Sequence, residues 1–353
     1  LGLIRRVLVA ALFGWSLTTP NSLSAADLWG QEPAHASPAG IAYGNASTWY
    51  VQSEALWLTR TRTDWIPFTA IDTTGMGDMQ IVQSSDYLDF GYKAGIRLTL
   101  GRRLDACNSL EFSYFGLQDF DGSSTVLDPS GGLYSPYSRF QTGLFGYTFG
   151  FDQATEHQIE YESSLHNAEF NFRHCGPVVG SLESDLLFGV RYLNIKERFG
   201  FLSTQPGGGM DGVDAFGTAT NQTSNNLIGL QIGGQIRYNA TERFGLTARG
   251  KAGLLVNFAS HDGTFTQDMG PVVHSDYSAR GEALAGLIEV GLSGHYRIGS
   301  HLTLRAGYDV ILLSGLALAP EQFDVYSGYF GSSLNDRGTV VYHGPSAGLE
   351  LQW

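Results

Sequence analysis

The stretch GTVVYHGPSAGLELQW, Gly338 to Trp353, decides the fold. From Ser346 it alternates without a break, with Ser346, Gly348, Glu350 and Gln352 on one face and Ala347, Leu349, Leu351 and Trp353 on the other. A two-residue period marks a strand, because successive side chains leave an extended backbone on opposite sides. One face is wholly apolar and the last residue is an aromatic, although a terminus in water frays and favours solubility. Such a strand needs an apolar medium on one side and partner strands along its edges.

The composition fits a chain built of such strands. Charged residues are 16% and glycine fills 46 of 353 positions, where soluble domains hold roughly 25% and ~7%. No internal run approaches the ~20 apolar residues of a membrane helix, which excludes a helical membrane protein. Residues 1–26 combine Arg5 and Arg6, an apolar run from Val7 to Trp15 and small residues up to Ala26. They read as a secretory signal peptide. Residues 27–47 read as a flexible lead-in and residues 48–353 as the folded body. The net charge is −13, so nucleic acid, whose phosphates need a basic surface, is excluded as a partner.

Ten segments alternate in the same way. Leu88 to Leu100 sets Leu88, Phe90, Tyr92, Ala94, Ile96, Leu98 and Leu100 against Asp89, Lys93, Arg97 and Thr99. Trp49 to Trp57, Ser109 to Leu117, His157 to Arg173, Ser181 to Ile195, Asn226 to Tyr238, Phe244 to Phe258, Leu284 to Arg297, Leu302 to Leu313 and the terminal stretch make up the rest. His157 to Arg173 changes phase near Leu165, as at a bulge. Short connections at Gly101, His174, Asn239 and Ile298 alternate with long ones at Thr59, Gln118, Lys196, Ala259 and Ser314. Outer-membrane barrels differ in this way at their two rims, with short periplasmic turns and long external loops.

The apolar faces carry no charge in nine of the ten segments, Glu162 in the phase-shifted one being ambiguous. An Arg or Lys facing lipid near the midplane costs about 2–4 kcal/mol, whereas a soluble barrel is apolar within and polar without. The expected fold is therefore all-β: a transmembrane antiparallel up-and-down β-barrel of about ten strands in the bacterial outer membrane. Twelve is the alternative if Gln141 to Gly150, QTGLFGYTFG, adds a hairpin. Gly348, Leu351 and terminal Trp353 look like the insertion signal read by the barrel-assembly machinery. Cys107 and Cys175 fall at the same rim, which allows a disulfide; two free thiols are the other reading.

LHNAEFNF (Leu165 to Phe172), LLFGVRYLNIKERF (Leu186 to Phe199), NNLIGLQIGGQIRY (Asn225 to Tyr238), KAGLLVNFA (Lys251 to Ala259) and RAGYDVILLSGLALAPEQF (Arg305 to Phe323) resemble the β-barrel porin family of planctomycete-type bacteria. They are also similar to a related pore-forming outer-membrane family. The resemblance covers about Trp49 to Trp353. It implies an outer-membrane barrel and a pore, and brings no catalytic residues.

Lys93, Arg97, Glu111, Arg191, Arg237, Arg249, Lys251, Glu289, Arg305 and Asp309 are the candidate lumen lining. Its cations either form an anion-selecting strip or pair with the acids and plug the bore, since ten strands lie near the filled limit. The first expectation is a narrow porin for small hydrophilic solutes, without cofactor or metal. The second is a closed structural or surface-interaction barrel acting through acidic external loops. A rim protease would need His261, Asp262 and His274 to converge at the outer mouth. GPSAG matches a nucleophile elbow, but that motif needs a strand before it and a helix after it, so Ser346 reads as a lumen-facing strand residue. Asp119 with Asp121, and Asp211 with Asp214, lack the full ligand series of a calcium loop.

Overall fold

A computed structural model describes residues 48–73, 78–138, 148, 150–268, 270, 272–323 and 334–353. The expected signal peptide and lead-in lie outside these residues, as does most of Gln141 to Gly150. In chain order the strands are β1 (Trp49–Arg60), β2 (Pro67–Asp72), β3 (Met79–Ser84), β4 (Lys93–Arg103), β5 (Asn108–Leu127), β6 (Leu133–Tyr134) and β7 (Glu156–Val179). They continue with β8 (Leu182–Gln205), β9 (Ala215–Asn239), β10 (Phe244–Asp268), β11 (Val272–Ile298), β12 (Leu302–Leu316) and β13 (Gly338–Gln352).

Ten of them close an antiparallel ring in the order β1-β13-β12-β11-β10-β9-β8-β7-β5-β4. The terminal strand closes it: Tyr50 pairs with Gln352 and Leu56 with Ser346, and Trp49 and Trp353 exchange backbone hydrogen bonds at 3.0 and 3.1 Å. The ring has ten strands, not twelve; the remaining three, β3-β2-β6, form a small sheet in the connections at the long-loop end.

A strand needs 9–11 residues to cross a bilayer when tilted, yet β7 to β11 run to 24, 24, 25, 25 and 27 residues. Two different environments explain the excess. In the half nearer the short turns the outward residues are apolar and exposed, among them Leu98, Phe170, Phe188, Val190, Leu230, Leu254 and Val290. So large an apolar surface on a folded wall is a lipid-facing band. In the other half the phase reverses along the same strands. Ile159, Tyr161, Phe199, Phe201 and Phe265 point inward and are buried, while Glu160, Glu162, Lys196, Arg198 and Asp262 are exposed. That half follows soluble-barrel logic, with an oily interior and a wet exterior.

The reversal corrects three expectations. No bulge interrupts β7 at Leu165, because its burial alternates from Glu156 to His174; the irregularity lies on the partner strand, between Leu117 and Phe120 of β5. The strand expected from Leu88 starts at Lys93, and Leu88 and Phe90 are core residues. The connections expected from Lys196 and Ala259 are largely strand, since β8 runs to Gln205 with β9 starting at Ala215, and β10 runs to Asp268 with β11 starting at Val272.

Gly315, at φ +80°, turns the chain out of β12 and into the bore. A Cβ there would meet the Leu284 carbonyl oxygen at 2.5 Å, so only glycine fits without displacing β11. Past it, Leu316, Ala317, Leu318 and Ala319 are 0% exposed. This segment and the β2–β3 hairpin fill the outer mouth from within. Phe68 stacks on Phe199 with ring centroids 4.7 Å apart, and Phe323 packs edge-on to Phe201 at 5.9 Å.

Candidate functional site

The bore is crossed at two levels. In the outer half, Arg60 of β1 donates from Nη1 to Glu197 Oε1 of β8 at 2.7 Å, both side chains fully buried. Those strands lie four places apart around the ring, so the pair ties nearly opposite walls. Glu197 also accepts from the backbone N–H of Ala319 at 2.9 Å and from Ser163 Oγ at 3.3 Å. The guanidinium lies 5.1, 5.0 and 5.7 Å from the rings of Phe90, Tyr161 and Tyr342, whose faces favour a cation. Asn225 clamps the same inserted segment: Nδ2 donates to Ala317 O at 2.8 Å and Oδ1 accepts from Ala317 N at 2.7 Å. Asn257 donates to Asn225 Oδ1 and to Gly315 O.

The inner level, inside the lipid band, is ionic. Arg191 donates to Glu289 at 2.7 Å, and Lys251 to Glu169 at 2.8 Å. Arg97 lies 3.1 Å from Glu54, 3.7 Å from Glu289 and 3.5 Å from Asp309, and Arg249 pairs with Asp309. Gln231 donates to Glu169 and Asn171. Each charge here has an opposite charge within reach, as removal from water requires. Cations and acids alternate across the bore rather than forming a strip of one sign.

A family model described as "Putative beta barrel porin-7 (BBP7)" matches residues 69–328. The chain belongs to this family of outer-membrane β-barrel porins. No curated protein matches it. Among solved structures it is similar to the outer membrane protease OmpT from Escherichia coli at 11% identity, over 88% of this chain and 98% of that one, with a TM-score of 0.48. A Pseudomonas aeruginosa FadL homologue aligns at 9% identity over 86% and 89% of the two chains, TM-score 0.29. The P. putida toluene transporter TodX aligns at 10% over 86% and 90%, TM-score 0.23. At these identities the likeness concerns the barrel alone.

In this porin-family barrel the ten expected lining residues separate into groups. Arg97, Arg191, Arg249, Lys251, Glu289 and Asp309 meet in the ionic layer. Arg305 lies toward the periplasmic end, 3.1 Å from Glu350, and Glu111 is held by Arg173 at 3.0 Å and by the Tyr50 hydroxyl. Arg237 sits at the periplasmic rim, 3.6 Å from Glu183. Lys93 stands apart from the layer, at the start of β4, where its ammonium meets the exposed Asp121. Cys107 and Cys175 form a disulfide at the periplasmic rim, and Ser346 is a buried strand residue of β13.

His261 faces inward, 3.1 Å from Asn221 Oδ1. Asp262 next to it faces out, and the exposed His274 contacts Asp276 at 3.0 Å. These side chains diverge. Arg60 and Glu197 fell outside the expected strands, although Leu193, Ile195, Glu197, Phe199 and Phe201 keep a two-residue period in the phase opposite to the lipid-facing one.

Near the junction, burial pushes the Glu321 carboxyl up to about 7, with repulsion from Asp64 and Glu197 adding to it and Arg60 opposing. An unfolded glutamate titrates near ~4.3. The folded chain therefore holds the extra proton between those values, and stability falls as pH rises through that window. The unfolding free energy in vesicles should drop between about pH 5 and about pH 8 by roughly 1–2 kcal/mol, allowing for solvent screening. Glu321→Gln should remove most of the drop.

Proposed function

We propose that this outer-membrane barrel is closed in its resting state and acts through its extracellular half rather than as a standing pore. The Arg60–Glu197–Ala319 junction carries this reading, since a solute would have to break a fully buried ion pair to pass. The ionic layer beneath presents a second barrier. The C-terminal strand fits insertion by the barrel-assembly machinery, with Leu351 and Trp353 exposed on the outer wall at the periplasmic end and Gly348 among their strand neighbours.

The second reading is a narrow porin for small hydrophilic solutes that opens when the segment after Gly315 leaves the mouth. It is favoured by Arg249 and Lys251, whose side chains keep 19% and 14% exposure within the ionic layer. Planar-bilayer recording separates the two. The pure folded protein should give no stepwise conductance, and vesicles carrying it should stay tight to small sugars. Steady unitary steps from the unmodified chain would sink the closed reading.

A further inference from the structure

The outer wall above the lipid band carries a polar concavity of about 750 Å³, lined mainly by outward residues of β5 and β7 to β10, with the buried Phe120, Ser163, Glu197 and Thr223 alternating between them along the same strands. At its centre Lys196 stands opposite Ser224 and Arg198 opposite Gln222, flanked by Glu162 on β7 and Asp262 on β10. One edge is the irregular stretch of β5 at Phe120 and Asp121, where a bulge bends the strand. Among the described residues neither Lys196 nor Arg198 has an ion-pair or side-chain hydrogen-bond partner, unlike the inward-facing cations. Asp121 is already engaged by Lys93.

The position of the concavity decides what can fill it. Two residues nearer the membrane on the same strands, Asn194 donates to Asn226 Oδ1 at 2.8 Å, and Tyr192 donates to the same atom at 2.9 Å. This amphipathic row caps an apolar wall of Val190, Leu230 and Leu254. A lipid whose tails lie on that wall places its headgroup about 6–7 Å higher, at Lys196 and Arg198.

We infer that this concavity binds the phosphorylated saccharide headgroup of an outer-leaflet glycolipid. Lys196 and Arg198 meet the phosphate through charge-assisted hydrogen bonds. Ser224 and Gln222 supply donors and acceptors for sugar hydroxyls, and Glu162 and Asp262 accept from them. Continuity with the lipid-facing band favours a membrane lipid over a soluble ligand, and the mixed charge favours a phosphosugar over a plain anion.

The test uses the full chain in nanodiscs containing lipid A, its dephosphorylated form, or phosphatidylethanolamine alone, with retained lipid counted by native mass spectrometry. Wild type should keep lipid A. The exposed double variant Lys196→Ser/Arg198→Ser should keep at least about tenfold less, the scale set by two lost charge-assisted bonds. Dephosphorylated lipid should fall similarly, and Arg102→Ser, at the other end of the wall, should match wild type. Equal retention by wild type and the double variant overturns the assignment, as does indifference to the phosphate or failure of wild type to hold lipid A.

Discussion

Glu197→Ala lowers the stability of the folded barrel by about 3–5 kcal/mol, the usual consequence of leaving one member of a buried pair alone. The residue left behind is Arg60, fully buried with its guanidinium among three aromatic rings. Those rings attract the cation but cannot replace a carboxylate at 2.7 Å. The Ala319 N–H loses its acceptor in the same change, so the inserted segment loosens with the wall. Urea unfolding in vesicles, followed by tryptophan fluorescence, reads the loss. Arg60→Met with Glu197→Leu should recover most of it, because apolar side chains of similar volume avoid the desolvation cost of two charges. If the double variant is as weak as the single one, the junction is not what holds the mouth.

Leu254→Arg and Thr264→Arg form the second test, on one strand and one face. Leu254 points outward in the lipid band, and Thr264 points outward ten residues further along β10. An arginine at Leu254 should cost about 2–4 kcal/mol, the price of a charge facing acyl chains near the midplane. At Thr264 the same residue faces water and should shift stability by no more than about 0.5 kcal/mol. Comparable losses at both sites would mean that the lipid band extends over the whole wall, against the phase reversal.

Most of the inner half was legible because lipid imposes a one-sided rule. The face holding Leu98, Leu230, Leu254 and Val290 could carry no charge, so the opposite face had to hold Arg97, Arg191, Lys251 and Glu289, and alternation alone located them. The outer half broke the rule without breaking the period. Tyr161 and Phe201 remain two-residue neighbours of other inward residues, but the apolar face has changed sides. A reading that looks for apolar residues facing out therefore ends strands such as β1, β5, β8 and β10 too early, and it missed Arg60 and Glu197 for that reason.

The sequence by itself determined that the chain is a barrel in lipid, since strand period and the exclusion of charge from one face are local properties of a few consecutive residues. Whether the bore is open was decided only by tertiary structure. Arg60 and Glu197 are 137 positions apart along the chain, and Asn225 and Ala317 are 92 apart. Each side chain alone reads as an ordinary strand or loop residue. They become a closure because the ring carries β1 and β8 to nearly opposite walls and Gly315 turns the segment between β12 and β13 into the space they share.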